Sequence, residues 1–214
     1  MTSVRKIALL ALIIVALNAC GGSLYYTSDP IEAWVVDAET GKPIEGAVVT
    51  ANWQLVGFSL DTGGTRLGQL EVMETVTDQN GHFYFPGFTK LNLSLGELRG
   101  DDPHLLIFKP GYEYLGGGHS YPVGKPLPGA HRSSDINGRI LQMKKADPDV
   151  NKYAFHLGFL TTSLMNIENS GDAGRIPKMI HALACERMRL KAIDPAVLLW
   201  VPGATGTETN CEAK

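Results

Sequence analysis

His181 and Cys185 stand four residues apart in a stretch of helical periodicity, so they share one face. That spacing suits two ligands of a metal site, or a thiol with a base beside it. A metal would need two more ligands, and none lies close in the sequence. Cys185 also has two roles with no open chemistry: a disulfide with Cys211, or a buried free thiol. Gly118-His119-Ser120-Tyr121-Pro122 begins like a nucleophile elbow, but proline stands in place of the second glycine and prevents the sharp turn that exposes such a serine. Five residues separate Gly118 from Gly124, and Pro126 rather than a hydroxyl residue follows Lys125, so no phosphate loop is present. Asp78-Gln79-Asn80-Gly81 offers oxygens without the later bidentate glutamate of a calcium loop, and a tight turn accounts for all four residues. His-Glu-x-x-His, paired Cys-x-x-Cys and dinucleotide fingerprints are all missing from the sequence. No catalytic residue, metal site or cofactor is therefore expected. An enzyme built on His181 and Cys185 is the alternative.

Side chains suited to binding gather in one long loop. Leu115 to Gly138 contains six Gly and three Pro, which is long for a plain connector. Tyr114, His119, Tyr121, His131 and Arg132 lie in it or at its edge. Tyr and Arg are common binding anchors, while Gly and Pro permit close approach at reduced entropic cost. The loop is expected to be the main interaction surface; otherwise it is a tolerated insertion. The 214 residues are 44% hydrophobic and 19% charged, with a net charge of -3, which is globular composition without the basic face that nucleic acid demands.

The N-terminus decides the compartment. Arg5 and Lys6 precede eleven unbroken apolar residues, Ile7 to Leu17, too few for a spanning helix of roughly 20. They have the flanks of a secretory signal. Leu17-Asn18-Ala19-Cys20-Gly21 resembles the bacterial lipobox. The resemblance implies cleavage before Cys20, diacylglycerol on its thiol, and acylation of the freed amine, which makes anchoring stable. Gly21, where an inner-membrane retention signal would have Asp, implies the outer membrane, with the globular part in the periplasm. With Cys20 acylated, Cys185 and Cys211 remain as an even pair in an oxidising compartment, and a disulfide between them is expected.

The elements that must position these groups change character along the chain. Residues 20–30 read as a tether. Ile31–Asp37, Ile44–Trp53, Val72–Thr77, His82–Phe85, Leu105–Lys109 and Arg139–Lys145 read as strands, and Gln54–Leu70 as an irregular excursion with an Asp61–Gly64 turn. Ala47, Val49, Ala51 and Trp53 alternate on one strand face. Asn80-Gly81 predicts a hairpin joining its two flanking strands. From Asp147-Pro148-Asp149 the pattern is helical, with Val150, Tyr153, Leu157, Leu160 and Leu164 on one stripe that Phe155 and Phe159 widen. Pro177 starts a second helix with Ile176, Ile180, Leu183 and Leu190 apolar. Asp194-Pro195 caps a short turn through Trp200, and residues 201–214 are a polar tail.

Three segments carry a second resemblance. Gly41-Lys42-Pro43-Ile44-Glu45-Gly46-Ala47-Val48-Val49, Thr77-Asp78-Gln79-Asn80-Gly81-His82-Phe83-Tyr84-Phe85 and Leu106-Ile107-Phe108-Lys109-Pro110-Gly111-Tyr112 resemble, in order and spacing, the carboxypeptidase regulatory-like domains. The resemblance covers roughly residues 31–112 and implies a transthyretin-like antiparallel β-sandwich of about seven strands. The expected organisation is a signal peptide (1–19), tether (20–30), sandwich (31–146), helical annex (147–200) and tail (201–214). Its motifs specify turns and core, so function is left to the sites. A non-catalytic, membrane-anchored binding or scaffolding module is expected, with an envelope protein or glycan as partner. As a glycan-binding module it would need Trp34, Trp53 and Tyr84 facing solvent.

Overall fold

The computed structural model describes residues 23–57, 65–94, 96–98, 103–116, 130–169, 171–201 and 211. Three layers stack on two hydrophobic cores. The fold is a β-sandwich with a C-terminal helical annex, as the sequence predicts.

Four strands make most of the first layer. β1 (Tyr25–Ser28) and β2 (Ile31–Asp37) run end to end. Antiparallel to them lie β5 (His82–Phe85) and β6 (Phe88–Leu91), also end to end. Tyr25 faces Leu91, Ser28 faces Phe88, Ile31 faces Phe85 and Trp34 faces His82, so one register runs through both halves. The ladder breaks where Pro30 and Pro86 lack the N–H it requires. Gly87 permits the tight crossing there, because a β-carbon would sit 2.7 Å from the Ser28 carbonyl oxygen. The alternation also flips at the break: Tyr26 and Ser28 point inward before it, Ile31, Ala33 and Val35 after it. β10 (His131–Arg132) and β11 (Arg139–Met143) add parallel pairs to β1 and β2. Residues 25–28, expected in the tether, thus belong to the sandwich, with Tyr26 buried in its core.

The second layer has the order β4-β3-β8-β9, from β3 (Val48–Gly57), β4 (Thr65–Val76), β8 (His104–Phe108) and β9 (Leu115–Gly116), with β7 (Glu97–Leu98) also on β3. The excursion expected over Gln54–Leu70 is an extension of the β3–β4 pair, whose register shifts at Trp53/Gln54 and Leu55/Val56 absorb its irregular pattern. The Asp61–Gly64 turn lies outside the described residues. Asn80-Gly81 does not close a hairpin, since β4 pairs with β3 and β5 with β2. Its turn passes the chain between layers: Asp78 Oδ1 accepts the Asn80 and His82 N–H groups, and Gly81 takes a φ of 72°.

Both faces of β3 are covered. Ala47, Val49, Ala51, Trp53 and Leu55 join Ile31, Phe83, Phe85 and Met143 in the sandwich core. Val48, Val72, Leu106 and Phe108 form a second core with the annex. The annex comprises α1 (Val150–Asn169), α2 (Pro177–Ile193) and two 3-10 turns, Ala173–Arg175 and Pro195–Leu199. Tyr153, Leu157, Leu160 and Leu164 are buried as their spacing predicts, whereas Phe155 and Phe159 stay about half exposed, stacked edge-on at 5.0 Å. They sit beside the stripe, where Ala154, Thr161 and Ile167 take the inward positions. Of the two acids at the helix start, Asp149 rather than Asp147 caps α1: its carboxylate accepts the Asn151 and Lys152 N–H groups at 2.9 and 3.3 Å. Ile176 cannot cap α2, and Glu74 from β4 accepts the Lys178 and Met179 N–H groups at 3.0 and 2.8 Å instead. Buried Glu71 pairs with both Lys90 of β6 and Arg175 of the annex, tying all three layers together. A Cys185–Cys211 disulfide fastens the tail to α2, and the tail's first residue, Val201, is itself buried.

Candidate functional site

A sandwich has two outer faces, and here they differ. The annex covers that of the second layer. On the first layer, the residues between Ile31, Ala33, Val35 and Asp37 must point away from the core, which turns out Glu32, Trp34 and Val36. By register, Tyr84 lies beside Glu32, and His82 and Ile140 flank Trp34 on either side. The Trp34 and His82 rings meet at 5.1 Å and 44°, and His82 Nε2 stands 3.4 Å from Glu32 Oε2. Ile140 is 66% exposed and Tyr84 50%, so this face presents apolar and aromatic surface with one carboxylate and one imidazole. Asn137 Oδ1 accepts the Glu32 N–H, and the Gly138 N–H donates to the Glu32 carbonyl, which fixes this strand from its edge. Flat rings beside polar groups can stack on a sugar ring or anchor a protein side chain. Trp53, the third aromatic of the glycan reading, faces the core and is fully buried, because it belongs to the inward alternation of β3.

The expected loop anchors are dispersed. His119 and Tyr121 lie outside the described residues, as does Cys20. Tyr114 is buried against the annex with its ring 4.7 Å from that of His156, and burial pushes its phenol pKa up. Arg132 is also buried, its guanidinium 5.7 Å above the Tyr26 ring. Both side chains serve the interior rather than an open surface. His131 is exposed between Thr27 Oγ1 at 3.0 Å and Asp29 Oδ2 at 3.1 Å. The loop is shorter than its composition suggests: Leu115–Gly116 pairs with β8 and His131–Arg132 with β1.

His181 and Cys185 do share a face, with 3.7 Å between His181 Nε2 and the sulfur, but that sulfur is bonded to Cys211. The nucleophile and the metal readings both need it free. His104 is half-buried on the annex side of the second layer, opposite Asn52. Among the described residues no three His, Cys, Asp or Glu side chains gather in a metal-holding group. Glu32, His82 and Ile140 were missed as members of a shared face because they come from three separate strands. Alternation within each strand signals which of them face outward, but not that the three strands lie side by side.

The architecture defines the class: a mainly β sandwich with a helical annex. No family model matches the chain, and no curated protein matches it. Among solved structures it is similar to 3-chlorocatechol 1,2-dioxygenase from Rhodococcus opacus 1CP, with 20% identity and a TM-score of 0.32 over 60% of this chain and 62% of that one. It is similar also to catechol 1,2-dioxygenase from Pseudomonas arvilla C-1, with 14% identity and a TM-score of 0.29 over 60% of this chain and 56% of that one. For a streptococcal ancillary pilin the values are 12% and 0.28, over 56% of this chain and 30% of that one. The chain therefore spans less than two thirds of each of these proteins.

Proposed function

We propose that this protein is a non-catalytic, lipid-anchored binding module of the bacterial envelope, held by Cys20 to the outer membrane with its sandwich in the periplasm. The lipobox-like Leu17-Asn18-Ala19-Cys20 supports the anchor, and the carboxypeptidase regulatory-like motifs at Gly41–Val49, Thr77–Phe85 and Leu106–Tyr112 support an accessory rather than a chemical role. One observation carries the binding assignment: the annex closes one outer face of the sandwich, while the other bears exposed Tyr84 and Ile140 with half-buried Trp34 between them. A protein spends exposed aromatic surface where it makes contacts. The test is a crosslinking pulldown from native membranes with the Trp34→Ala/Tyr84→Ala double variant. Loss of the partner recovered by the wild type is expected, and undiminished recovery would contradict the assignment. Replacing residues 117–129 with a Gly-Ser linker asks in parallel whether His119 and Tyr121 contribute.

A glycan partner is the second reading. Half-exposed Tyr84, together with Trp34, Glu32 and His82, supplies ring-stacking surface and hydrogen-bonding groups on one face. Binding of purified envelope polysaccharide that the same double variant abolishes would select it over a protein partner.

A further inference from the structure

One end of the sandwich is apolar where a soluble surface would be polar. Leu24, Tyr25, Leu67, Leu91 and Leu93 are 51%, 53%, 43%, 45% and 77% exposed. They are contiguous in the fold. Tyr25 and Leu91 are cross-strand partners, the Asn92 N–H donates to the Leu24 carbonyl, and a β-carbon on Gly96 would meet Leu67 Cδ1 at 2.8 Å. Asn92 sits fully buried beneath them, donating from Nδ2 to the carbonyls of Ser23 and Gly96. Residue 23 is thus pinned to this end of the molecule, and the N-terminal chain leaves from a fixed point. The opposite end, by contrast, carries Glu39, Lys42, Lys144 and Lys145 exposed.

We infer that this apolar end seats on the surface of the lipid bilayer, with Leu24, Tyr25, Leu67, Leu91 and Leu93 at headgroup and upper acyl depth. The inference rests on the anchoring of Cys20. Only Gly21 and Gly22 separate Cys20 from Ser23, so the three Cα-to-Cα steps between them reach at most about 11 Å even when fully extended. An acylated Cys20 has its chains in the membrane, so the pinned end of β1 cannot stand further from the bilayer than that. Leu and Tyr side chains are suited to this depth, Tyr in particular because its ring is apolar and its hydroxyl reaches the headgroups. Seating this end orients the sandwich: its strands rise from the bilayer, and the outer face bearing Trp34 and Tyr84 runs up one side, open to partners in the periplasm.

The experiment uses the full chain purified with its modifications and placed in zwitterionic phospholipid vesicles doped with a phospholipid whose acyl chain carries a photoactivatable group. Intact mass first establishes the acyl chains on Cys20. Irradiation is then expected to label peptides covering residues 23–28, 65–70 and 88–94. Labelling should be largely lost in Leu91→Asp/Leu93→Asp, whose thermal unfolding is expected to match the wild type because both positions are exposed. Acylated protein labelled instead on the annex, at Phe155, Phe159, Leu199 or Trp200, or labelled nowhere, overturns the seating alone. An unacylated Cys20 overturns the anchor and the seating together.

Discussion

Asp37 closes β2 by turning its carboxylate back on the chain. Oδ1 accepts the Thr40 and Glu39 N–H groups and the Thr40 hydroxyl, and Oδ2 accepts the Tyr112 hydroxyl at 3.0 Å. The Thr40 N–H leads in holding this carboxyl below its ordinary pKa. A carboxyl depressed on folding stabilises the fold fully above its unfolded pKa, and that contribution disappears as pH falls through the folded value. Asp37→Asn is therefore expected to lower Tm at neutral pH and to shrink the drop in Tm that the wild type shows between about pH 5 and about pH 2. Thermal unfolding across that range checks it; an unchanged pH dependence would mean that Asp37 is not a source of the acid sensitivity. At this scale the sequence was partly legible. Phe83 and Phe85 face in and Tyr84 faces out, as alternation requires, because that strand has one wet face. Tyr114 and Arg132 misled because their types suit binding anchors equally well as they suit buried stacking, and only the partner elements decide between the two.

Helix α2 starts without a capping residue of its own, and Glu74 supplies the acceptors from another layer. Glu74→Ala is expected to destabilise the protein by about 1 kcal/mol, with Glu74→Gln retaining part of that, since a carboxylate at a helix N-terminus also meets the favourable end of the dipole. Equilibrium urea unfolding measures both, and two variants as stable as wild type would leave α2 without need of this cap. The disulfide acts on the same helix. Its sequence separation of 26 corresponds to about 3.5 kcal/mol of loop-closure stabilisation, so Cys185→Ala/Cys211→Ala should be less stable by up to that amount. Thiol labelling of the unfolded, unreduced protein should find both cysteines blocked; labelled Cys185 and Cys211 would refute the link. Element positions were readable where a period ended in a cap or a proline, as for Ile31–Asp37 and Pro177–Ile193. They were misread where pairing decides: the β3–β4 extension looks irregular because two register shifts interrupt its alternation, and the Asn80-Gly81 turn carries hairpin residues while joining different sheets.

At the scale of the molecule, the arrangement is a sandwich shielded on one side by the helical annex. Burying β3 on both faces lets the annex dock through Val48, Val72, Leu106 and Phe108, and the Glu71 pairs with Lys90 and Arg175 lock the three layers in place. Among the described residues, the first layer's outer face and the apolar end near Ser23 stay uncovered. The layered architecture was legible from the switch from alternating to helical periodicity near Asp147, but not the double coverage of β3, where Thr50 and Asn52, on the face opposite Ala51 and Trp53, are buried despite their polarity. The proposed anchoring has lipid on Cys20 holding this module to the membrane. Intact-mass spectrometry of the mature protein extracted from native membranes tests it most directly. A chain beginning at Cys20 with diacylglycerol on the thiol and a further acyl chain on the amine is expected, with Cys20→Ala left uncleaved or released from lipid. A mature chain beginning elsewhere, or at an unmodified Cys20, would contradict it.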